Sequence, residues 1–303
     1  MGNVYIDEEL KNYLVPFSQR SASSASKIVV RGSKIPIREE AMAIRGFVWW
    51  TNTENQRVDL DLSAAFYDES WRLIEHVSYT RLRSGALQSY HSGDITNGGD
   101  VNGKGVAEFL DFDMGRVATA ARYVVYQIYN YTGQKFSELP NVRFGWMERE
   151  DVGSGEIFEP STVEMSMDMN AESTVSIPAI FDCKERKVIW CDMNLGINST
   201  RSYYGGNNIE SNIHGVTAAC HAMVHMNKPN IYDLIMLNTK ARGILTTNRN
   251  DADIIFSNDT TVPVEVVEVE DEKTKEKKLV ERERTDVPIV TAFDTDYFMG
   301  QLL

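Results

Sequence analysis

The chain is short of positive charge, of cysteine and of long apolar runs. Lys and Arg number 31 against 44 Asp and Glu in 303 residues, a formal net charge of −13. So negative a molecule repels phosphate backbones, which excludes nucleic-acid binding through bulk electrostatics and suits a divalent cation as partner. The three cysteines, Cys183, Cys191 and Cys220, are an odd number without CxxC spacing. Cys183 and Cys191 flank a hairpin that can bring them near each other. Reduced thiols are nevertheless the better reading for a chain with no secretion signal. No stretch approaches the roughly 18 apolar residues of a membrane span, so no membrane insertion is expected. Charges from Asp7 to Lys11 argue against a signal peptide, and Ile6 stands where a myristoylation site needs Ser or Thr. A cytoplasmic location is the expectation. Also missing are a Gly-Lys-Ser/Thr phosphate loop, a Gly-x-Ser-x-Gly elbow and an HExxH motif.

What is present is β-pattern. Residues 1–26 read as a flexible N-terminal segment with a short helical pattern over 8–14 and a Ser/Ala tract over 21–26. Strands are expected at 27–30, 43–51, 57–67, 71–76, 107–113, 123–130, 143–148, 163–167, 174–182 and 187–192, punctuated by Gly, Asn and Pro. Ten strands at this spacing predict a mainly β protein, a two-sheet antiparallel β-sandwich over 27–198. Residues 199–303 read as a helical C-terminal extension. It has helices over 209–226 and from the Asn230 cap through Arg242, with Gly243 as the stop signal. Within it, 265–284 alternates apolar and charged residues as an exposed hairpin or arm.

Chemistry concentrates in two acidic segments. In Val58-Asp59-Leu60-Asp61-Leu62-Ser63, period-2 alternation places Asp59 and Asp61 on one face of a strand. Residues 91–105 form a loop with five glycines, carrying Asp94 and Asp100, and lead to Glu108. Carboxylates crowded this way repel one another unless a cation or hydrogen-bond donors sit among them. Calcium takes six to eight oxygen ligands, many from flexible loops. The candidate metal ligands are therefore Asp59, Asp61, Asp94, Asp100 and Glu108, with Ca²⁺ as one or two ions. Turn chemistry accounts equally for acidic residues in a Gly-rich loop. The spacing lacks the complete EF-hand pattern.

The Asp59-Leu60-Asp61 strand and the His91-Ser92-Gly93-Asp94 motif, with the Gly/Asp loop running to Glu108, resemble the tellurium-resistance TerD family over residues 28–195. Segments 144–147, 155–160 and 188–192 resemble the longer bacterial TerD-related proteins. The resemblance implies a cytoplasmic, two-sheet β-sandwich that binds calcium and serves stress responses. It assigns Asp59, Asp61, Asp94 and Glu108 to the acidic site. Where the family has consecutive acidic residues before that glutamate, this chain has Val106 and Ala107. Asp100 is the local substitute.

The competing readings differ in class. The first is a non-enzymatic calcium-binding stress protein whose ion orders a surface for a protein partner of unknown identity. The alternative is a metal-free structural or interaction module of the same fold, with the 265–284 arm as docking element. Paired carboxylates acting as acid and base are the only footing for an enzyme. His91 reads as a group that fixes the loop, since imidazole suits calcium poorly. His221 and His225 have zinc spacing beside Cys220, but 221–225 lacks the glutamate of the HExxH motif.

Overall fold

The computed structural model describes residues 2–15, 24–25, 29–150, 163–195, 209–226, 228–270 and 277–302, with side chains of 24–25 and 209–214 excepted. It resolves into two compact units, one made of Arg20–Lys27 and Arg31–Met226, the other of Met1–Gln19, Ile28–Val30 and Asn227–Leu303.

The larger unit is the expected sandwich. One sheet runs, in spatial order, β3 (Lys34–Pro36), β14 (Lys187–Leu195), β13 (Val175–Asp182), β10 (Tyr123–Asn130), β5 (Leu60–Tyr67) and β6 (Leu73–Val77). The other runs β2 (Ser24–Ala25), β12 (Val163–Asp168), β11 (Val142–Arg149), β4 (Ala43–Trp50), β9 (Val106–Asp113), β8 (Ser89–His91) and β7 (Arg83–Ser84). Every pairing within both sheets is antiparallel. The residues at 29–30 are not in a strand, contrary to the 27–30 expectation. A turn with Gly32 at φ +90° comes first, and the edge strand starts at Lys34. A short helix, α1 (Met114–Ala120), was not expected. Asp113 ends β9 and starts it, its carboxylate accepting the Arg116 N–H at 2.8 Å.

Aromatic side chains fill the space between the sheets. Phe181 meets Phe112, Tyr126 and Trp146 edge-on at 5.5–5.7 Å between ring centres, an arrangement the ring quadrupoles favour. Trp50, Trp146 and Trp190 are buried with them, whereas Trp49 on the opposite face is only half-buried. Tyr126 Oη donates to Leu110 O at 2.7 Å and accepts from Gly46 N at 3.2 Å. A Cβ on Gly46 would lie 2.5 Å from that ring, so glycine is what lets the phenol cross β4.

All eight residues of β5 are buried, which a strand with one wet face cannot be. The second cover is α2 (Ile209–Val224). Its Val216, Cys220 and Met223, spaced four and three apart, pack on Ala65, Tyr67, Val125 and Ile180 of the six-stranded sheet. This helix therefore belongs to the sandwich unit, and the boundary lies near 226 rather than 198. The three cysteines are free and buried.

The smaller unit is not purely helical. Around a central pair, β15 (Ile244–Leu245), β1 (Asn3–Ile6), β16 (Ile254–Phe256) and β19 (Ile289–Val290) form a parallel sheet. Where a flexible segment was expected over 1–26, residues 3–6 thus form a strand and Glu8–Asn12 a 3-10 turn capped by Asp7. The serine tract over 21–26 lies mostly outside the described residues. Helix α3 (Ile231–Arg242) begins at Asn230, whose Oδ1 accepts the Asp233 N–H at 2.8 Å, and buries Ile231, Ile235 and Thr239. Gly243 follows it with an extended φ of −148°, so the helix stops without a left-handed cap. The expected arm is a hairpin, β17 (Val264–Glu270) against β18 (Lys277–Glu283). No helix among the described residues is long and apolar enough to cross a membrane.

Candidate functional site

The site grows from a gap beside β5. Strand β10 pairs with β5 along its whole length, but β6 reaches only as far as Ala64. Residues 60–63 thus have no strand on one side, and their peptide groups need other partners once water is excluded. Side chains from the opposite sheet supply them. Leu62 N donates to Glu108 Oε2 at 2.9 Å, and Leu62 O faces His91 Nε2 at 2.9 Å. The other Glu108 oxygen accepts the Ile95 N–H at 2.9 Å. Gly93 N donates to His91 Nδ1 at 3.1 Å, which leaves the ring proton on Nε2, where it donates to Leu62 O. Both side chains are fully buried, with Nε2 and Oε2 3.4 Å apart.

The loop over 92–105 is fastened at its far end by Asn52. Its Oδ1 accepts the N–H groups of Val58 at 2.9 Å and Gly98 at 3.0 Å, while its Nδ2 reaches Asn97 Oδ1 at 2.8 Å. Trp50 Nε1 donates to Val58 O, and Trp49 Nε1 to Lys104 O. A Cβ on Gly98 would stand 2.7 Å from the Thr51 backbone carbon, so the close approach there requires glycine. Sequence reading missed Asn52. Its signal was the polar Thr51-Asn52-Thr53-Glu54-Asn55 run after a strand, which is ordinary turn composition.

These ties bring Asp94 over the start of β5. Asp59 and Asp61 stand on the face opposite Leu60 and Leu62, both buried, whereas Asp94 is exposed. One oxygen from each of the three carboxylates lies within 4.8 Å of the others. Burial raises the Asp59 pKa above the ordinary carboxylate value. Arg57, 3.4 Å away, opposes the rise, while the charges of Asp94 and Glu108 add to it.

No family model matches the chain. A stretch of 87 residues is 25% identical to the tellurium resistance protein TerZ of Serratia marcescens, covering 29% of this chain and 44% of TerZ. Over that stretch the chain is similar to a tellurium-resistance protein. The match spans less than half of TerZ's own length. Among solved structures, a homologue of the telluride resistance protein TerD from Streptomyces coelicolor is similar at 14% identity with a TM-score of 0.41. It covers 52% of this chain and 92% of its own. A protein of unknown function is similar at 17% identity with a TM-score of 0.40, over 52% of this chain and 94% of that one.

Within the sandwich the five acidic candidates separate. Asp59, Asp61 and Asp94 come together. Glu108 sits beside them but spends both oxygens on Leu62 and Ile95, so it acts as a fastener of strand and loop. Asp100 is not in the group. Its carbonyl accepts the Gly103 N–H in a turn, and it lines a polar surface cleft of about 570 Å³ with Asn52–Arg57. Val106 and Ala107 pair with Trp50 and Trp49 in the ladder, where neither offers an oxygen ligand from its side chain. The rings of His221 and His225 lie 4.4 Å apart, tilted by 33°, and His225 Nδ1 lies 2.8 Å from His221 O. Among the described residues, the aspartate trio alone assembles three or more metal-ligating side chains.

The trio suits a hard cation. An ion bound at 2.3–2.6 Å requires its ligand oxygens to lie no more than about 4.6–5.2 Å apart, and all three satisfy that limit. Three carboxylates place hard oxygen donors and negative charge at one spot, the donor set calcium prefers over the imidazole and thiolate ligands of zinc.

Proposed function

We propose that this protein is a non-enzymatic, calcium-binding stress-response protein in which Asp59, Asp61 and Asp94 hold the ion. The convergence of these three carboxylates carries the proposal. The tellurium-resistance name of its relative TerZ supports the stress-response role. Bound calcium supplies positive charge that the trio lacks. Asp61 lies in β5 and Asp59 immediately before it, while Asp94 rides on the loop. Neutralising their mutual repulsion draws Asp94 onto β5 and orders the 92–105 segment as a surface for a protein partner, a shift driven by the ion's preference for the closed arrangement. Titration of chelator-treated protein with calcium by calorimetry tests this, and no heat of binding at millimolar ion overturns it.

A second reading is a metal-free interaction module. Its support is that Glu108, His91 and Asn52 already fasten the loop through hydrogen bonds. It requires a melting temperature that calcium leaves unchanged.

A further inference from the structure

The β17–β18 hairpin is unlike every other element of the chain. It is a two-stranded ribbon with no third strand on either edge among the described residues. All seven residues of β18 are exposed, and Leu279, at 74%, and Val280, at 46%, are apolar. The base of the ribbon is nonetheless anchored. Val264 N donates to Asn250 Oδ1 at 3.0 Å, Arg284 Nη1 to Asn250 O at 2.8 Å, and Arg284 N to Pro263 O at 2.8 Å. An isolated two-stranded ribbon is marginal in water, and an open apolar edge is a template for another strand. Something of definite chemistry completes it.

The charges on the two edges indicate what. Strand β17 carries Glu265, Glu268 and Glu270 and no basic residue, so a second β17 laid beside it meets only like charge. Strand β18 has Lys277 and Lys278 at its start and Glu281, Arg282 and Glu283 toward its end. Laid antiparallel on a second β18 in the register centred on Leu279, it sets each Lys277 opposite Glu281 of the second copy and brings the two Leu279 side chains to the two-fold axis. The register centred on Val280 sets Lys278 opposite Arg282, like charge against like, and is disfavoured. Lys277 Nζ already holds Glu268 at 2.9 Å within its own ribbon, and the incoming carboxylate would share that ammonium.

We propose that β18 is a homodimerisation edge, and that two copies of this chain join through it into a four-stranded antiparallel sheet ordered β17, β18, β18, β17. The interface is two-fold and closes on itself, because the acidic β17 edges that remain outside repel further addition. It does not depend on the cation site.

Sedimentation equilibrium of the full chain, from nanomolar to high micromolar concentration, tests the proposal. The expected result is a monomer–dimer equilibrium. Leu279→Glu weakens it at least about tenfold, on the order of 1.4 kcal/mol. Lys277→Glu weakens it too, and adding Glu281→Lys to that variant restores the dimer. The restored dimer separates loss of complementarity from loss of folding. A chain monomeric throughout overturns the proposal. So does a dimer indifferent to both single substitutions, an open-ended series of oligomers, or a monomer whose ribbon binds a strand of another protein instead.

Discussion

Glu108 on β9 accepts the backbone N–H of Leu62 on β5, a carboxylate of one sheet standing in for the strand that the other sheet lacks. Its second oxygen holds Ile95, so a single buried side chain joins both sheets and the loop. Glu108→Ala leaves the buried Leu62 N–H and the half-buried Ile95 N–H without acceptors. At about 1–3 kcal/mol for the buried group and less for the other, it should cost roughly 1–5 kcal/mol in urea denaturation, with an unchanged denaturant slope. Glu108→Gln keeps one acceptor oxygen and should lose less than half of that.

Asp59 gives a prediction about acidity. Its pKa is raised in the folded protein by burial and by Asp94 and Glu108, against the pull of Arg57. The native state then binds a proton more readily than the unfolded chain. The stability this group contributes is fully present below its unfolded value near 3.8 and is lost as pH rises through the higher folded value. In chelator, the stability of the wild type relative to Asp59→Asn should therefore fall as pH rises through that window. Thermal melts of both proteins across the window check it, and an opposite slope refutes it.

Calcium should cancel this penalty. In the wild type it raises the melting temperature at neutral pH, since a ligand that binds only the native state stabilises it by mass action. In Asp59→Asn combined with Asp61→Asn the rise disappears. Asp100→Asn should behave as the wild type, because Asp100 lies in the cleft beside residues 52–57 and outside the trio.

Gly98 is the position where the loop touches the sandwich most closely. Gly98→Ala places a methyl 2.7 Å from the Thr51 backbone and the Trp50 ring, so the loop must lift. A loss of about 1–3 kcal/mol is expected, together with weaker calcium binding as Asp94 moves away. Calorimetric titration of the variant, beside its urea curve, reads both.

The thiols should be silent. Burial pushes Cys220 up to about 12 and raises Cys183 and Cys191 well above the ordinary thiol value. Under native conditions at neutral pH no thiolate is presented to an alkylating reagent. Mass spectrometry should find none of the three cysteines modified until denaturant is added, and all three afterwards.

The sandwich was legible because its strands are long and alternate, so each announces its buried face without help from the others. The parallel sheet was not. β15, β16 and β19 are only two or three residues long; β15 and β16 become strands by pairing with β1 across most of the chain, and β19 by pairing with β16. α1 hid because the residue that ends β9, Asp113, also caps the helix. In the site, the aspartates were visible as types and spacings. Glu108 was visible as a carboxylate but not as an acceptor, since both of its partners are main-chain groups that look identical at every position. Asp100 drew attention by composition, whereas the fold places it in the cleft beside residues 52–57 and outside the trio.

The placement of β1 has a consequence for how the chain is made. Asn3 N is held by Asp253 across 250 positions, and β1 pairs with strands that emerge from the ribosome long after it. At elongation rates of about 5–20 residues per second, that delay is on the order of 10–50 s. The sandwich can close while β1 still waits. Trimming either end of the polypeptide should therefore dismantle the same late-assembling unit and spare the one that forms first.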